Sequence, residues 1–380
     1  MSAALEGFTV LDLSQGVCGP FATLRLAEAG ATVLKVEPPG GDPSRQMGPP
    51  FIGDDAAVFH ALNRNKRTIT LDLSTRVDRQ TVLDLAGEVD VVVEDLGYRQ
   101  DGLAGLDHAA VAVTNPGVVW CSISAFGEQG PMRDLPGSEL VVQAMAEYTR
   151  SLGQIGEEPV RLGADVASLS TGVFASQAVL AALFHRLRSG EGQRVSVSML
   201  GVLLHMRGIM WSSLTDPDDW GGFHLDHYTN APDTGYRTAD GQIFFFLRRA
   251  NSEDYDRLML SLGLEAYIAD PRFSNLGRDA APLGIHAEAA KPVWEQGFAS
   301  LTNREVIELI QSCGGDAVPF MDHREIIAHP QTQALGAIHD VAGTDSTEPF
   351  RTVGPVWRMS ATPAVRPVSV MSADPANPFA

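Results

Sequence analysis

The sequence is poor in positive charge. Its 380 residues hold 28 Lys and Arg against 47 Asp and Glu, which gives a formal net charge of −19. Such a surface repels phosphate backbones and anionic lipid headgroups, so we expect neither nucleic acid nor a membrane as a partner. An anionic small ligand needs a local positive patch, and we expect that patch in the short basic cluster of Arg64, Lys66 and Arg67.

Cysteine is scarce as well, and long apolar segments are lacking. Cys18, Cys121 and Cys313 are an odd set without the spacing of a disulfide scaffold or a zinc site. The first residues form no basic, apolar leader, and the apolar stretches are broken before the ~20 residues that a membrane helix needs. These absences predict a cytoplasmic protein with no metal centre.

The first 125 residues alternate between predicted strands and helices. Residues 8–13 form an apolar strand, a glycine turn and a helix follow, and residues 31–37 form the next strand. Further strands are predicted at 67–73, 90–94 and 118–124, and a long helix is predicted at 166–188. This order predicts an α/β fold whose large domain is Rossmann-like and doubly wound.

A change in composition marks a second domain. Residues 215–233 are rich in Asp, Gly, Trp and His, and a predicted hairpin around Asp240-Gly241 follows them. We therefore predict a large domain over residues 1–214 and a smaller α+β domain over residues 215–324. The Pro-rich segment 325–380 is expected to pack back on the large domain and complete it.

A dinucleotide site is the obvious alternative for such a fold. Glu37 ends the second strand, where an acid that binds a ribose would lie. However, the turn reads Gly16-Val17-Cys18-Gly19-Pro20 rather than G-x-G-x-x-G. Pro20 also removes a backbone N–H that could bind a pyrophosphate. The sequence therefore disfavours NAD and FAD.

A set of short motifs recurs in order along the chain. The motifs include Leu11-Asp12-Leu13 with Gly19-Pro20, Asn63-Arg64-Asn65-Lys66-Arg67, Asp90-Val91-Val92-Val93-Glu94, Leu162-Gly163-Ala164-Asp165 and Gly190-Glu191-Gly192-Gln193. Each motif alone is weak, but together, over roughly residues 5–360, they resemble the class III CoA-transferases, the family of the formyl-CoA:oxalate and carnitine CoA-transferases.

The resemblance implies an architecture and a set of ligands. Subunits of this family have two domains and form interlocked homodimers, with the active site between the large domain of one subunit and the small domain of the other. Acyl-CoA and a small carboxylic acid are the substrates, and no cofactor is permanently bound. The implied CoA contacts fall on Val17, Leu71, Asp95, Leu96 and Arg99.

The chain also departs from the family pattern. Val17 stands where a Gln often contacts CoA, Pro38 stands in place of a basic residue, and Asp95 stands in place of an Asn. The family's C-terminal Gly-Glu-His-Thr segment is missing from the sequence. These departures put the affinity for CoA and its bound pose in question.

The resemblance assigns the catalytic aspartate to Asp165. A carboxylate can attack an acyl-CoA thioester to give a mixed anhydride, which the released thiolate converts to an aspartyl-CoA thioester. Asp165 also begins the long predicted helix, whose positive end favours a carboxylate. The alternative reading is that its side chain merely caps that helix.

Glu139 is the second candidate, because it could orient groups near Asp165. Its alternative is an ordinary acidic residue at a helix start.

Two other functions remain open from the residues. An α-methylacyl-CoA racemase shares the fold and the aspartate, but it needs an acid/base group on each face of the α-carbon. Ser138 occupies the position of the histidine that serves as one of those groups. A partner subunit of a heteromeric CoA-transferase is the other possibility. The altered CoA positions favour it, and the retained Asp165 argues against it.

Overall fold

The computed structural model describes residues 2–96, 105–149, 158–211, 235–247, 252–270, 284–344 and 347–379. The chain divides into two compact units, Met1–Trp220 with Gln331–Ala380 and Gly221–Pro330. These divisions fall a few residues after the boundaries expected at 214 and 324. That each unit folds as a domain of its own stays a prediction.

The secondary-structure elements follow in chain order. The strands are β1 Thr9–Asp12, β2 Thr32–Glu37, β3 Phe51–Ile52, β4 Asp55–Ala56, β5 Lys66–Thr70, β6 Val91–Glu94, β7 Val119–Ser124, β8 Gln193–Ser198, β9 Tyr236–Arg237, β10 Gln242–Phe246, β11 Asp316–Pro319, β12 Ile338–Val341, β13 Phe350–Val353 and β14 Met371–Ser372. The helices are α1 Cys18–Glu28, α2 Ala57–Asn63, α3 Arg76–Ala86, α4 His108–Ala112, α5 Glu139–Met145, α6 Val166–Ser189, α7 Met199–Trp211, α8 Ser252–Ser261, α9 Gly284–Phe298, α10 Asn303–Ser312, α11 His323–Ala328 and α12 Pro330–Leu335.

A parallel sheet organises the large unit. Its strand order in the described residues is β14-β5-β2-β1-β6-β7-β8, and each neighbouring pair is parallel. The chain starts at β1, adds β2 and β5 on one side, and then returns to add β6, β7 and β8 on the other. The strand order therefore reverses between β1 and β6, where α/β proteins usually bind their ligands.

Both faces of this sheet are covered, which explains why its inner strands β1, β2, β6 and β7 are buried along most of their length. Val91 and Val93 pack with α1 and α6 on one face, while Val92 packs with α3 on the other. The C-terminal segment returns to this unit, since β14 pairs with β5 through Met371 and Arg67. The predicted α/β class with a large parallel sheet is confirmed.

Helix α6 is the longest element, and it corrects the expectation that no apolar stretch of this sequence is long enough for a membrane helix. Among the described helices it alone is long and apolar enough to cross a membrane, although half of that apolar window is buried within the structure. Ala175, Val179, Ala182 and Leu183 lie in the core beside the sheet. Packing against the sheet thus accounts for the apolar residues on this face of α6.

The small unit contains an antiparallel sheet with the order β11-β10-β9. The hairpin predicted at Asp240-Gly241 is present, because β9 and β10 pair on either side of it. Phe245 points into an aromatic core, where its ring meets that of Trp294 edge-on at 5.2 Å. Helices α8, α9 and α10 supply most of the remaining core.

Candidate active site

In the turn between β1 and α1, carboxylates of the protein itself accept the backbone N–H groups. The backbone N–H of Gln15 donates to Asp95 Oδ2 at 3.1 Å, and that of Gly16 donates to Asp42 Oδ1 at 3.1 Å. In dinucleotide-binding folds the N–H groups of this turn face the pyrophosphate. Here two aspartates occupy them, so the turn cannot offer them to a dinucleotide.

The Glu37 carboxylate binds Arg45, whereas in a dinucleotide site the acid at this position binds a ribose. Its carboxylate accepts hydrogen bonds from Arg45 Nε at 2.7 Å and Arg45 Nη2 at 2.8 Å. It also accepts the backbone N–H of Asp42 at 2.9 Å. Glu37 therefore orders the loop after β2.

A buried ion network lies beneath the same turn. Lys66 Nζ contacts Asp12 Oδ2 at 3.1 Å and the carbonyl oxygen of Pro20 at 2.8 Å, while Lys35 Nζ contacts Asp42 Oδ2 at 2.7 Å. Burial lowers the pKa of Lys66 to about 8, although Asp12 attracts its ammonium group. Burial opposes ionisation of Asp12, but Lys66, Lys35 and two hydroxyl groups outweigh it and lower the pKa to about 2.

This network overturns the prediction of a basic surface patch. Lys66 is fully buried against Asp12, and the nearly buried Arg64 pairs with Glu28 at 2.7 Å. Only Arg67 of the predicted cluster is partly accessible. The prediction was wrong because a run of adjacent charges in a sequence does not show whether the side chains are buried. Two of these three side chains form ion pairs with carboxylates inside the fold.

The N-terminus of α6 is capped by a residue from another helix. Glu139, the first residue of α5, accepts the backbone N–H of Ala167 at 2.8 Å and that of Ser168 at 2.7 Å. It also accepts the Ser168 hydroxyl at 2.6 Å and Gln143 Nε2 at 2.7 Å. Each oxygen of Glu139 thus accepts two hydrogen bonds. This arrangement suits a positioning residue better than an acid/base group.

Asp165 occupies the N-cap position of α6, but its side chain makes no capping hydrogen bond. The interpretation of Asp165 as a simple side-chain cap is therefore wrong, because Glu139 has taken the N–H groups that such a cap would use. The Asp165 side chain is 46% exposed, and it forms an ion pair with Arg161 at 3.5 Å. Its carboxylate is therefore accessible at the positive end of a 24-residue helix.

Local contacts hold Glu139 in its capping role. The buried side chain of Gln143, one turn further along α5, also donates to the carbonyl oxygen of Ala164 at 3.2 Å. This bond ties α5 to the segment that leads into Asp165. At the other end of α5, the buried guanidinium of Arg207 donates to the carbonyl oxygen of Ala146 at 2.9 Å. Helix α5 is thereby fixed at both ends.

The predicted CoA contacts lie in two places. Val17 precedes α1, and Asp95 and Leu96 follow β6, so these three lie where the strand order reverses. Leu71 follows β5 and donates its N–H to the carbonyl oxygen of Glu37 at 2.9 Å. Arg99 lies outside the described residues.

Helices α1 and α6 meet closely near these positions. A Cβ added to Gly172 would lie 2.8 Å from the carbonyl oxygen of Cys18. The start of α1, directly after Val17, therefore lies beside the first half of α6. Burial, together with nearby Asp95, raises the pKa of the Cys18 thiol. Burial raises the pKa of Cys121 to about 12, so neither thiol competes as a thiolate nucleophile at neutral pH.

Sequence reasoning missed three residues of this site. Gln143 and Ser168 complete the hydrogen bonds of Glu139, and Arg161 pairs with Asp165. Arg161 is four residues before Asp165, so its proximity could have been suspected from spacing. The roles of Gln143 and Ser168 depend on how α5 packs against α6, which gives no local signal in the sequence.

The comparisons with known proteins define one class of enzyme for this chain, the CoA-transferases. The model of CoA-transferase family III matches residues 5–371, and the chain belongs to that family. The expected resemblance and the assignment as a CoA-transferase enzyme are confirmed, and CoA thioesters are the substrates of the family.

Individual relatives agree with this assignment. The chain is 34% identical over 359 residues to a succinate–glutarate CoA-transferase from Agrobacterium fabrum, covering 90% of this chain and 86% of the relative. It is 30% identical over 377 residues to a formyl-CoA:oxalate CoA-transferase from Streptomyces avermitilis, covering 96% and 91%. The crystal structure of a CaiB/BaiF family protein from Brucella suis superimposes with a TM-score of 0.86 at 26% identity, covering 98% of this chain and 97% of the other.

Proposed function

We propose that this protein moves CoA from an acyl-CoA to a carboxylic acid, with Asp165 as the nucleophile. An oxygen of Asp165 attacks the acyl carbon, the C–S bond breaks, and CoA leaves as its thiolate. The thiolate then attacks the Asp165 carbonyl carbon, which releases the donor acid and leaves an aspartyl-CoA thioester. The acceptor acid repeats these two steps in reverse, so that the acyl-CoA product forms and Asp165 is regenerated.

The observation that carries this proposal is the division of roles at the start of α6. Glu139 accepts the helix N–H groups, and Asp165 keeps an exposed carboxylate at the helix N-terminus. The positive end of the helix dipole favours its ionised, nucleophilic form. Each bond formed in the cycle replaces one of similar energy, so the exchange requires neither ATP nor a metal ion.

The names of the relatives suggest the substrate class. The relatives include enzymes named for succinate and glutarate or for oxalate, all of them dicarboxylic acids. We therefore propose succinyl-CoA as the first donor to test and a short dicarboxylic acid as the acceptor. Val17, Leu71, Asp95, Leu96 and Arg99 remain the proposed CoA contacts.

Intact-mass spectrometry tests the reaction. The protein is mixed with a panel of acyl-CoAs that includes succinyl-CoA and acetyl-CoA, and we expect one of them to add to the chain the mass of CoA less one water, as a thioester of the carboxylate requires. A chain that acquires no adduct from any donor, but exchanges the α-proton of a 2-methylacyl-CoA with deuterated water, would be a racemase instead. If neither a CoA adduct nor α-proton exchange is observed, and a similar second chain co-purifies, the protein would be a partner subunit.

We also propose that the subunit forms the interlocked homodimer of its family and works in the cytoplasm. Leu180, Phe184 and Leu187 form one stripe of α6 and are 43%, 63% and 72% exposed in the single chain. An exposed apolar stripe is typical of a surface that another chain covers. Light scattering should give twice the mass of one chain, and a monomeric mass would reject the dimer. Three unpaired cysteines suit a reducing compartment, which cell fractionation can check.

A further inference from the structure

Acyl-CoA thioesters, the substrates of this family, also react with the side-chain amines of proteins. The neutral Nζ of a lysine attacks the carbonyl carbon, the C–S bond breaks, and CoA leaves as its thiol with a proton from the amine. The product is a stable amide that no longer carries the charge of the lysine. An enzyme that binds thioesters is therefore exposed to acylation at every lysine that they can reach.

Lysine is the scarce cation of this chain, and the large unit buries both of its lysines. The sequence holds three lysines among its 28 Lys and Arg residues, and the large unit contains Lys35 and Lys66. Both of these side chains are 0% exposed. In contrast, five arginines in ion pairs have side chains that are 45–61% exposed, namely Arg133, Arg161, Arg194, Arg257 and Arg351. A guanidinium keeps its proton at neutral pH, so thioesters do not acylate it.

Lys66 is the lysine whose protection matters most. Burial lowers its pKa to about 8. At pH 7 an accessible amine with that pKa would be neutral in roughly 10% of molecules, against about 0.04% for an ordinary lysine. Inside the fold its Nζ donates to Asp12 Oδ2 at 3.1 Å, to the carbonyl oxygen of Pro20 at 2.8 Å and to Asn63 Oδ1 at 2.9 Å. These three hydrogen bonds use all three hydrogens of the ammonium group, and no thioester can approach it.

The other two lysines differ from each other in the same respect. Lys35 Nζ donates to the carbonyl oxygen of Ser14 at 2.6 Å and to Asp42 Oδ2 at 2.7 Å inside the large unit. Lys291 lies on α9 in the small unit, and its side chain is only partly buried. Of the three lysines in the sequence, Lys291 is thus the one that solvent reaches.

We propose that the fold withholds its amines from acyl-CoA and leaves Lys291 as the one lysine that the enzyme's own substrates acylate. The inference goes beyond the proposed function, because it requires only that acyl-CoA is present and not that a particular residue attacks it. Lys35 and Lys66 belong to the ion network beneath the β1–α1 turn, at the edge of the sheet where this fold binds its ligands. An amide at either position would remove a charge from that network, so burial of these lysines also protects the turn.

Peptide mass spectrometry tests this pattern. The folded protein is incubated with acetyl-CoA or succinyl-CoA and then treated with hydroxylamine, which removes thioester and anhydride adducts but leaves amides. We expect acylation at Lys291, while Lys35 and Lys66 react about 100-fold more slowly or less, because each requires the fold to open. In concentrated urea the three lysines should react at similar rates. Lys291→Arg should remove lysine acylation from the folded chain.

Arg351→Lys tests whether arginine at the surface contributes to this protection. Arg351 is 61% exposed and pairs with Asp340 at 2.9 Å. The introduced amine should become a second site of acylation in the folded chain, since its ordinary exposure leaves it open to thioesters. Arg351→Gln is the matched control, because it removes the same guanidinium without adding an amine, and its acylation should equal that of the wild type.

Two results would overturn the inference: acylation of Lys35 or Lys66 in the folded chain within 10-fold of the rate at Lys291, or no acylation of Lys291 until urea unfolds the chain. An Arg351→Lys variant that gains no acylated site would reject the protective role of arginine. Transfer activity is followed separately, as the exchange of a ¹³C-labelled acid into its own acyl-CoA. A protein that shows the expected acylation but exchanges no label would reject the proposed function and leave this inference standing.

Discussion

Replacing Asp165 with Asn is expected to abolish CoA transfer and leave the protein as stable as the wild type. The amide keeps the shape of the side chain but lacks the nucleophilic oxygen, and removal of a catalytic nucleophile costs roughly 10³- to 10⁶-fold in turnover. Stability should not change, because Asp165 makes no capping bond and its exposed ion pair with Arg161 contributes at most about 1 kcal/mol. Isotope exchange and urea unfolding measure the two quantities.

Glu139→Gln is the contrasting control for this prediction. The introduced amide must direct its NH₂ group at a donor, because both oxygens of Glu139 accept hydrogen bonds from N–H or O–H groups. The loss should cost about 1–3 kcal/mol of unfolding free energy. If Asp165→Asn keeps a tenth of the activity, or loses as much stability as Glu139→Gln, then the assignment of roles at the start of α6 is wrong.

Lys66→Met is expected to destabilise the large unit by about 3–5 kcal/mol, since it leaves the Asp12 carboxylate buried without its ammonium partner. Lys66 is fully buried and also contacts Asn63 Oδ1 at 2.9 Å and the carbonyl oxygen of Pro20. These contacts join β5, α2 and α1 beneath the β1–α1 turn. Equilibrium unfolding in urea measures the effect.

A double variant separates the ion pair from simple packing. In Asp12→Asn with Lys66→Met, no charge of the pair remains. The Asn oxygen can accept the backbone N–H of Ser14, which bonds Asp12 at 3.1 Å, while its NH₂ group donates to the Thr23 hydroxyl, which turns its own hydrogen to the carbonyl oxygen of Gly19. We therefore expect the double variant to be more stable than Lys66→Met alone, with a coupling of about 0.5–3 kcal/mol. Additive losses would show that Asp12 and Lys66 act independently.

Patterns that are local in the sequence predicted much of the fold. Apolar runs such as 90–94 became β6, and the hairpin at Asp240-Gly241 formed as expected, because strand burial and turn chemistry act over a few residues. The family motifs suggested Asp165 as the nucleophile, and that assignment stays a prediction. The position of Asp165 at the head of the long helix was predicted correctly as well.

The parts that could not be predicted depend on contacts between distant segments. Glu139 caps a helix whose first residues lie 28 and 29 positions later in the chain. Arg64 is neutralised by Glu28, 36 positions away. A run of charged residues is typical of a surface when it is read alone, and only the packing around α1, α2 and β5 shows that Arg64 and Lys66 are buried.

The cap that Glu139 provides affects how much the helix terminus must rearrange during each catalytic cycle. In the proposed cycle Asp165 becomes an anhydride and then a thioester, and neither species accepts hydrogen bonds as a carboxylate does. If Asp165 itself capped α6, every turnover would break and remake the helix terminus, and that reorganisation would add to the barrier. Because Glu139 holds the cap, the hydrogen bonds at the start of α6 do not depend on the covalent state of Asp165. The helix terminus can therefore keep the same structure while the bonds at Asp165 change.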